Sequence, residues 1–105
     1  MTQFNTPGFI EGKIDKEESI EVRRKRLKFR SWHRGIKEAD ILLGSFADEF
    51  LDQLSDTQLD DYENLLREPD SDLVAWITNE RTQPDEYDHD LMKMLKSIDY
   101  IKILK

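Results

Sequence analysis

The sequence predicts an all-α fold, a compact five-helix bundle with a loosely ordered N-terminal extension. No segment alternates polar and apolar residues for long enough to make a strand. Apolar residues instead recur at spacings of three and four from about Ser19 onward, and capping residues, glycine and proline divide that pattern into five segments. A chain of 105 residues has room for one domain and one modest core. We therefore read residues 1–17 as a flexible N-terminal extension and residues 18–105 as a single helical domain.

The extension places Pro7, Gly8 and Gly12 among polar residues with no sustained period. Ser19 is a candidate cap for a first helix that runs through Ile20, Leu27 and Phe29 to about His33. It stops at Gly35, a residue type that tolerates the left-handed conformation of many helix ends. A second helix over about 36–53 aligns Ala39, Leu43, Phe46, Ala47, Phe50 and Leu54 in one stripe. Gly44 interrupts that stripe and weakens the helix by about 1 kcal/mol relative to alanine. Ser55 with Gln58 forms a capping-box pattern for a third helix, whose Leu59, Tyr62, Leu65 and Leu66 face inward and which ends before Pro69. The fourth helix is short, about 71–80, with Leu73, Val74, Trp76 and Ile77 inward. Pro84-Asp85 opens the fifth, carrying Tyr87, Leu91, Met94, Leu95, Ile98 and Ile101.

Composition removes several classes of function. The net charge of −7 argues against non-specific nucleic-acid binding by the whole domain. The chain has no cysteine, which excludes disulfides, thiolate chemistry and thiolate metal sites. No apolar run reaches the roughly 20 residues of a membrane helix, so no membrane insertion is expected. The first residues lack the apolar centre of a secretory signal, and Glu11, Asp15, Glu17 and Glu18 are unlike a transit peptide. A cytoplasmic, bacterial-style protein is the expectation.

Motifs for chemistry are mostly missing. The two histidines, His33 and His89, have no paired ligand spacing, so no metal site is expected. The acids at Asp70–Asp72 and Asp85–Asp90 lack the glycine and the spaced glutamate of a calcium loop and read as helix-start charges. Gly44-Ser45 lies inside a helical stripe rather than on a nucleophile turn. With no glycine-rich phosphate loop, no cofactor is expected to bind autonomously. Glu38 and Asp40 have the chemistry of an acid–base pair, but acids near a helix start are ordinarily stabilising charges, and no catalytic residue is assigned.

Charge distribution is more informative. Arg23, Arg24, Lys25, Arg26, Lys28, Arg30, Arg34 and Lys37 precede a stretch, residues 38–92, with seventeen acids and only Arg67 and Arg81 as bases. Interleaved with Phe29 and Trp32, the basic run suits phosphate contact and base stacking, and a small nucleic-acid-binding module is the alternative function. It equally suits a solvated face, a complement to the chain's own acidic body, or a protein partner. Trp76, Phe46, Phe50 and Tyr62 read as core, whereas Phe29 and Trp32 sit on a mostly polar helix where one of them is a candidate interface anchor. At the junction, Arg34-Gly35-Ile36-Lys37-Glu38-Ala39-Asp40 brings a glycine and ion-pairing groups into one turn, a pattern suited to docking.

Residues Arg26 to Glu38, with Arg34-Gly35-Ile36-Lys37-Glu38 at their end, resemble the helix and RGxxE motif of the succinate dehydrogenase flavinylation and assembly factors. The similarity continues through Leu42 to Ala47, Leu54-Ser55-Asp56, Tyr62 to Leu66, Glu68-Pro69-Asp70 and Asp72 to Trp76, covering about residues 24–95. The resemblance implies a five-helix protein that is not itself an enzyme. Such factors bind the flavoprotein subunit of succinate dehydrogenase, and in bacteria often fumarate reductase, and promote covalent attachment of FAD to a histidine of that subunit. Forming that bond needs loss of a methyl proton and attack by neutral imidazole, so alignment within the partner suffices without a helper nucleophile. Arg34, Gly35 and Glu38 match the motif, and Asp40 matches an acid of many bacterial members. With Arg30 and Trp32 they form the expected partner-binding set, on a protein expected to be monomeric.

Overall fold

The computed structural model describes residues 18–98. The expected extension over 1–17 and the inward placement of Ile101 lie outside those residues. Among the described residues the regular elements are all helical: α1 (Ile20–Trp32), α2 (Lys37–Phe50), α3 (Asp56–Leu65), α4 (Asp70–Ile77) and α5 (Asp90–Ser97), with 3-10 turns at Leu51–Gln53 and Asp85–Tyr87. Two starts follow from their caps. The Ser19 hydroxyl accepts from the Val22 amide at 3.2 Å, and Ser55 and Gln58 form the full reciprocal box, at 3.2 and 2.9 Å.

Three boundaries differ from the sequence reading. The fifth helix does not begin at Pro84, which starts only the one-turn Asp85–Tyr87 segment. α5 begins six residues on, where the Nδ1 of His89 accepts from the Met92 amide at 3.1 Å; an imidazole serves as the cap. α4 ends at Ile77 rather than about residue 80, because Asn79 adopts φ 66°, the left-handed conformation that stops a helix. The third difference concerns Gly35. Its φ lies outside the left-handed region, and α1 ends instead through His33 at φ −127°, ψ 64°.

The core forms as α1 packs on α2, α2 on α4, and both α3 and α4 on α5. Leu27, Leu42, Leu43, Phe46, Leu59, Tyr62, Leu65, Leu73, Leu91 and Leu95 are fully buried. Tyr62 takes its hydroxyl into this core with partners: Ser31 Oγ at 2.6 Å and the Leu43 carbonyl at 3.3 Å. Burial pushes the phenol well above its ordinary pKa, against the opposing hydrogen bond from Ser31, so it remains a donor. At Gly44 a side chain of α1 reaches the backbone of α2: a Cβ there would stand 2.2 Å from Cδ2 of the Trp32 indole. Trp32 thus lies flat on the α2 backbone, with its Nε1 donating to Asp48 at 3.1 Å. The glycine that weakens the helix locally admits the indole.

The basic face of α1 turns toward the acids of α3. Glu63, with its side chain 4% exposed, accepts from Arg26 at 2.8 Å and Arg23 at 3.1 Å and lies 4.0 Å from Arg30. Arg23 also reaches Asp60 at 2.6 Å, and Arg26 reaches Glu18 at 2.9 Å. Burial alone would raise the Glu63 pKa, but the hydrogen bonds and charges of Arg26 and Arg23 outweigh it and hold it below the ordinary value.

Two outcomes are expected. Gly44→Ala will destabilise the protein by about 1–3 kcal/mol in denaturant titration, although alanine is the better helix former, because the indole must leave its seat. A red shift of Trp32 emission should accompany that loss. Because the Glu63 pKa is depressed on folding, its stabilisation is complete above the ordinary value of 4.5 and is lost as pH falls through the folded value. Glu63→Gln should therefore flatten the acid limb of a stability-versus-pH curve; an unchanged limb would remove Glu63 as its source.

Candidate partner-docking site

The turn joining α1 to α2 is built by carboxylates from outside it. Asp40, in the first turn of α2, accepts the Arg34 amide through Oδ1. Asp70, the first residue of α4, accepts the Gly35 amide through Oδ2 and the Arg34 Nε through Oδ1, the latter at 2.8 Å. The Arg34 Nη2 donates to the Leu66 carbonyl at 2.8 Å. That carbonyl belongs to the residue closing α3, so one guanidinium ties the turn to both α3 and α4. A Cβ on Gly35 would meet Asp70 Oδ2 at 2.9 Å. The missing Cβ leaves room for a carboxylate beside the amide, and no unusual φ is involved.

The six residues singled out in the sequence are placed differently. Arg34, 10% exposed, and half-buried Asp40 are spent on the turn itself. Gly35 and Glu38 are exposed, and the Glu38 carboxylate makes no hydrogen bond or ion pair among the described residues. Arg30 is half-buried near Glu63. Trp32 has one edge in solvent while its ring covers Gly44. The more exposed anchor is Phe29 at 62%, its ring stacked on His33 with centroids 3.8 Å apart. Val22 and Phe29 share a face of α1 by their spacing, and Ile36, beyond the helix, is 39% exposed.

Asp70 was missed as a site residue because its sequence context, Pro69-Asp70-Ser71, already explains it as a connector and helix-start charge. Nothing local in the sequence links it to a turn 35 positions earlier. Away from the turn, a shallow cavity of about 300 Å³ is lined by Asp61, Asn64, Arg67, Glu68, Glu86, Tyr87 and His89. The Tyr87 hydroxyl donates to Glu68 there at 2.5 Å, and burial together with that carboxylate raises its pKa. Its carboxylates would repel the diphosphate of a dinucleotide. No cluster of three metal-ligating side chains occurs among the described residues.

Residues 25–99 match the family model described as the flavinator of succinate dehydrogenase. The chain belongs to this family. Among its relatives, a protein of Meyerozyma guilliermondii named succinate dehydrogenase assembly factor 2, mitochondrial, is 45% identical over 83 residues, covering 75% of this chain and 62% of the relative. A protein of the same name in Dictyostelium discoideum is 41% identical, covering 80% of this chain and 60% of the relative. The FAD assembly factor of Acetobacter pasteurianus is 41% identical over 70 residues, covering 67% of this chain and 64% of the relative. The chain thus spans about three-fifths of the length of these curated relatives. The matched family segment contains the whole turn and both carboxylates that hold it.

Gly35→Ala is expected to keep the helix content of the parent, since no left-handed φ is involved. It should lower the unfolding free energy by about 1–3 kcal/mol through loss of the charge-assisted bond to Asp70. A denaturant melt followed by circular dichroism measures both.

Proposed function

We propose that this protein is an assembly factor that docks on the flavoprotein subunit of succinate dehydrogenase and promotes covalent attachment of FAD to a histidine there. The observation that carries this reading is the α1–α2 turn: its backbone is held from behind by Asp40 and Asp70, while Gly35, Ile36, Lys37 and Glu38 stand exposed on the front. A surface prebuilt in this way loses little conformational freedom on binding. Membership of the flavinator family and the names of the relatives point to the partner. Phe29 and Ile36 supply the apolar contact, and Glu38 a carboxylate with no internal claim on it.

The factor acts by alignment rather than through an active site of its own, and FAD is held by the partner. The carboxylate-lined cavity and the absence of a glycine-rich phosphate loop in the sequence support this. A fumarate reductase flavoprotein is proposed as a second target, a monomer as the working state, and the cytoplasm as the compartment. For the compartment, the Acetobacter relative's name carries no mitochondrial label, whereas other relatives' names do. No helix among the described residues is long and apolar enough to cross a membrane. The nucleic-acid alternative loses its ground in the structure, because Arg23 and Arg26 are engaged by Glu63, Asp60 and Glu18.

The test is in-gel flavin fluorescence of the denatured flavoprotein subunit, expressed with FAD in the presence and absence of this protein. Fluorescence should depend on the factor, vanish with Gly35→Arg and fall with Glu38→Ala while both variants stay helical. Equal fluorescence with and without the factor overturns the reading. Binding to nucleic acid with a steep salt dependence would restore the alternative.

A further inference from the structure

We infer that Asp70 is the positioning residue of the docking turn and that Arg34 serves as its internal strut, so that the partner meets the Gly35–Glu38 surface rather than the Arg34 charge. This inference rests on the docking reading above and assigns the parts within it. Both Asp70 carboxylate oxygens are committed to the turn, Oδ1 to Arg34 Nε and Oδ2 to the Gly35 amide. The pair is largely withdrawn from water, with side chains 10% and 15% exposed. Arg34 spends Nε and Nη2 in two directions, on Asp70 and on the Leu66 carbonyl, which fixes its plane as a single charge–charge contact would not. The Gly35 amide is thereby turned inward to α4. Gly35 and the three residues after it nevertheless remain exposed.

A charge-preserving change distinguishes a strut from an interfacial cation. Arg34→Lys keeps the positive charge but cannot make both bonds, so it should weaken binding to the flavoprotein subunit about as much as Arg34→Ala does. Asp70→Asn keeps the shape yet turns an amide N–H toward one of two donors. It should lower affinity about tenfold by calorimetry. Asp72→Asn is the comparison, because it removes another first-turn acid of α4, one paired with Arg81 at 2.6 Å, and leaves the turn alone. If the clamp acts only through the stability of α4, the two asparagine variants will lose affinity together; if it positions the turn, Asp70→Asn alone will.

The second readout is hydrogen exchange at the Gly35 amide, slow in the parent despite the residue's exposure and fast in Asp70→Asn. Parent-like affinity of Arg34→Lys would overturn the strut. Parent-like exchange and affinity of Asp70→Asn would overturn the positioning role while Glu38→Ala continues to test the docking reading. If the parent itself fails to bind the subunit, the docking reading fails. The Gly35 exchange result then decides separately whether Asp70 holds the turn.

Discussion

Glu63 is the charge around which this fold is arranged. A carboxylate taken almost wholly out of water needs cations and hydrogen bonds to replace its hydration, and α1 supplies both from Arg23 and Arg26. That requirement fixes the rotation of α1 about its own axis: the arginines must face α3. Leu27 and Ser31 are then buried, and Val22 and Phe29 are left in solvent. The orientation that satisfies Glu63 therefore also determines which side of α1 is available to another molecule. The sign reversal of charge along the chain is resolved largely within the molecule, by folding the basic helix onto the acidic body.

The second constraint is close approach, and two glycines meet it in different ways. Gly44 lets an indole lie on a helix backbone, which brings α1 and α2 together near the end of α1. Gly35 lets a carboxylate reach an amide, which ties the same junction to α4. In neither case is an unusual backbone angle involved. What each glycine provides is the missing Cβ, and the neighbour that uses the space comes from a different element.

This distinction explains what was legible in the sequence. Helix starts set by Ser19 and by the Ser55–Gln58 box were readable because a cap and its amide are three residues apart. The stripes of α2 and α3 were readable because periodicity is local as well; of the apolar set from Ala39 to Leu54, Phe50 alone is less than fully buried. The start of α5 was misplaced because proline at 84 is a strong local signal and histidine at 89 an unusual cap. The charges and the glycine of the α1–α2 turn were legible, but the contacts that hold it were not. Gly35 reads as a helix stop that tolerates a left-handed angle and Arg34 as a charge at the turn, and the sequence does not show that both bond Asp70, about a third of the chain away. The destination of the basic run stayed open for the same reason, since Glu63 lies 37 and 40 positions from its arginines.

The Asp70 contact also has a bearing on folding order. Closing a loop of that length against α1 comes at an entropic cost that local helix formation does not carry, and its two hydrogen bonds are made only when α4 is in place. The surface at Gly35–Glu38 is consequently complete only once α4 is in place, not with the helix that precedes it. An incompletely folded copy would carry the motif in its sequence without displaying it. Display of the turn is in this way coupled to completion of the helical domain through a long-range carboxylate.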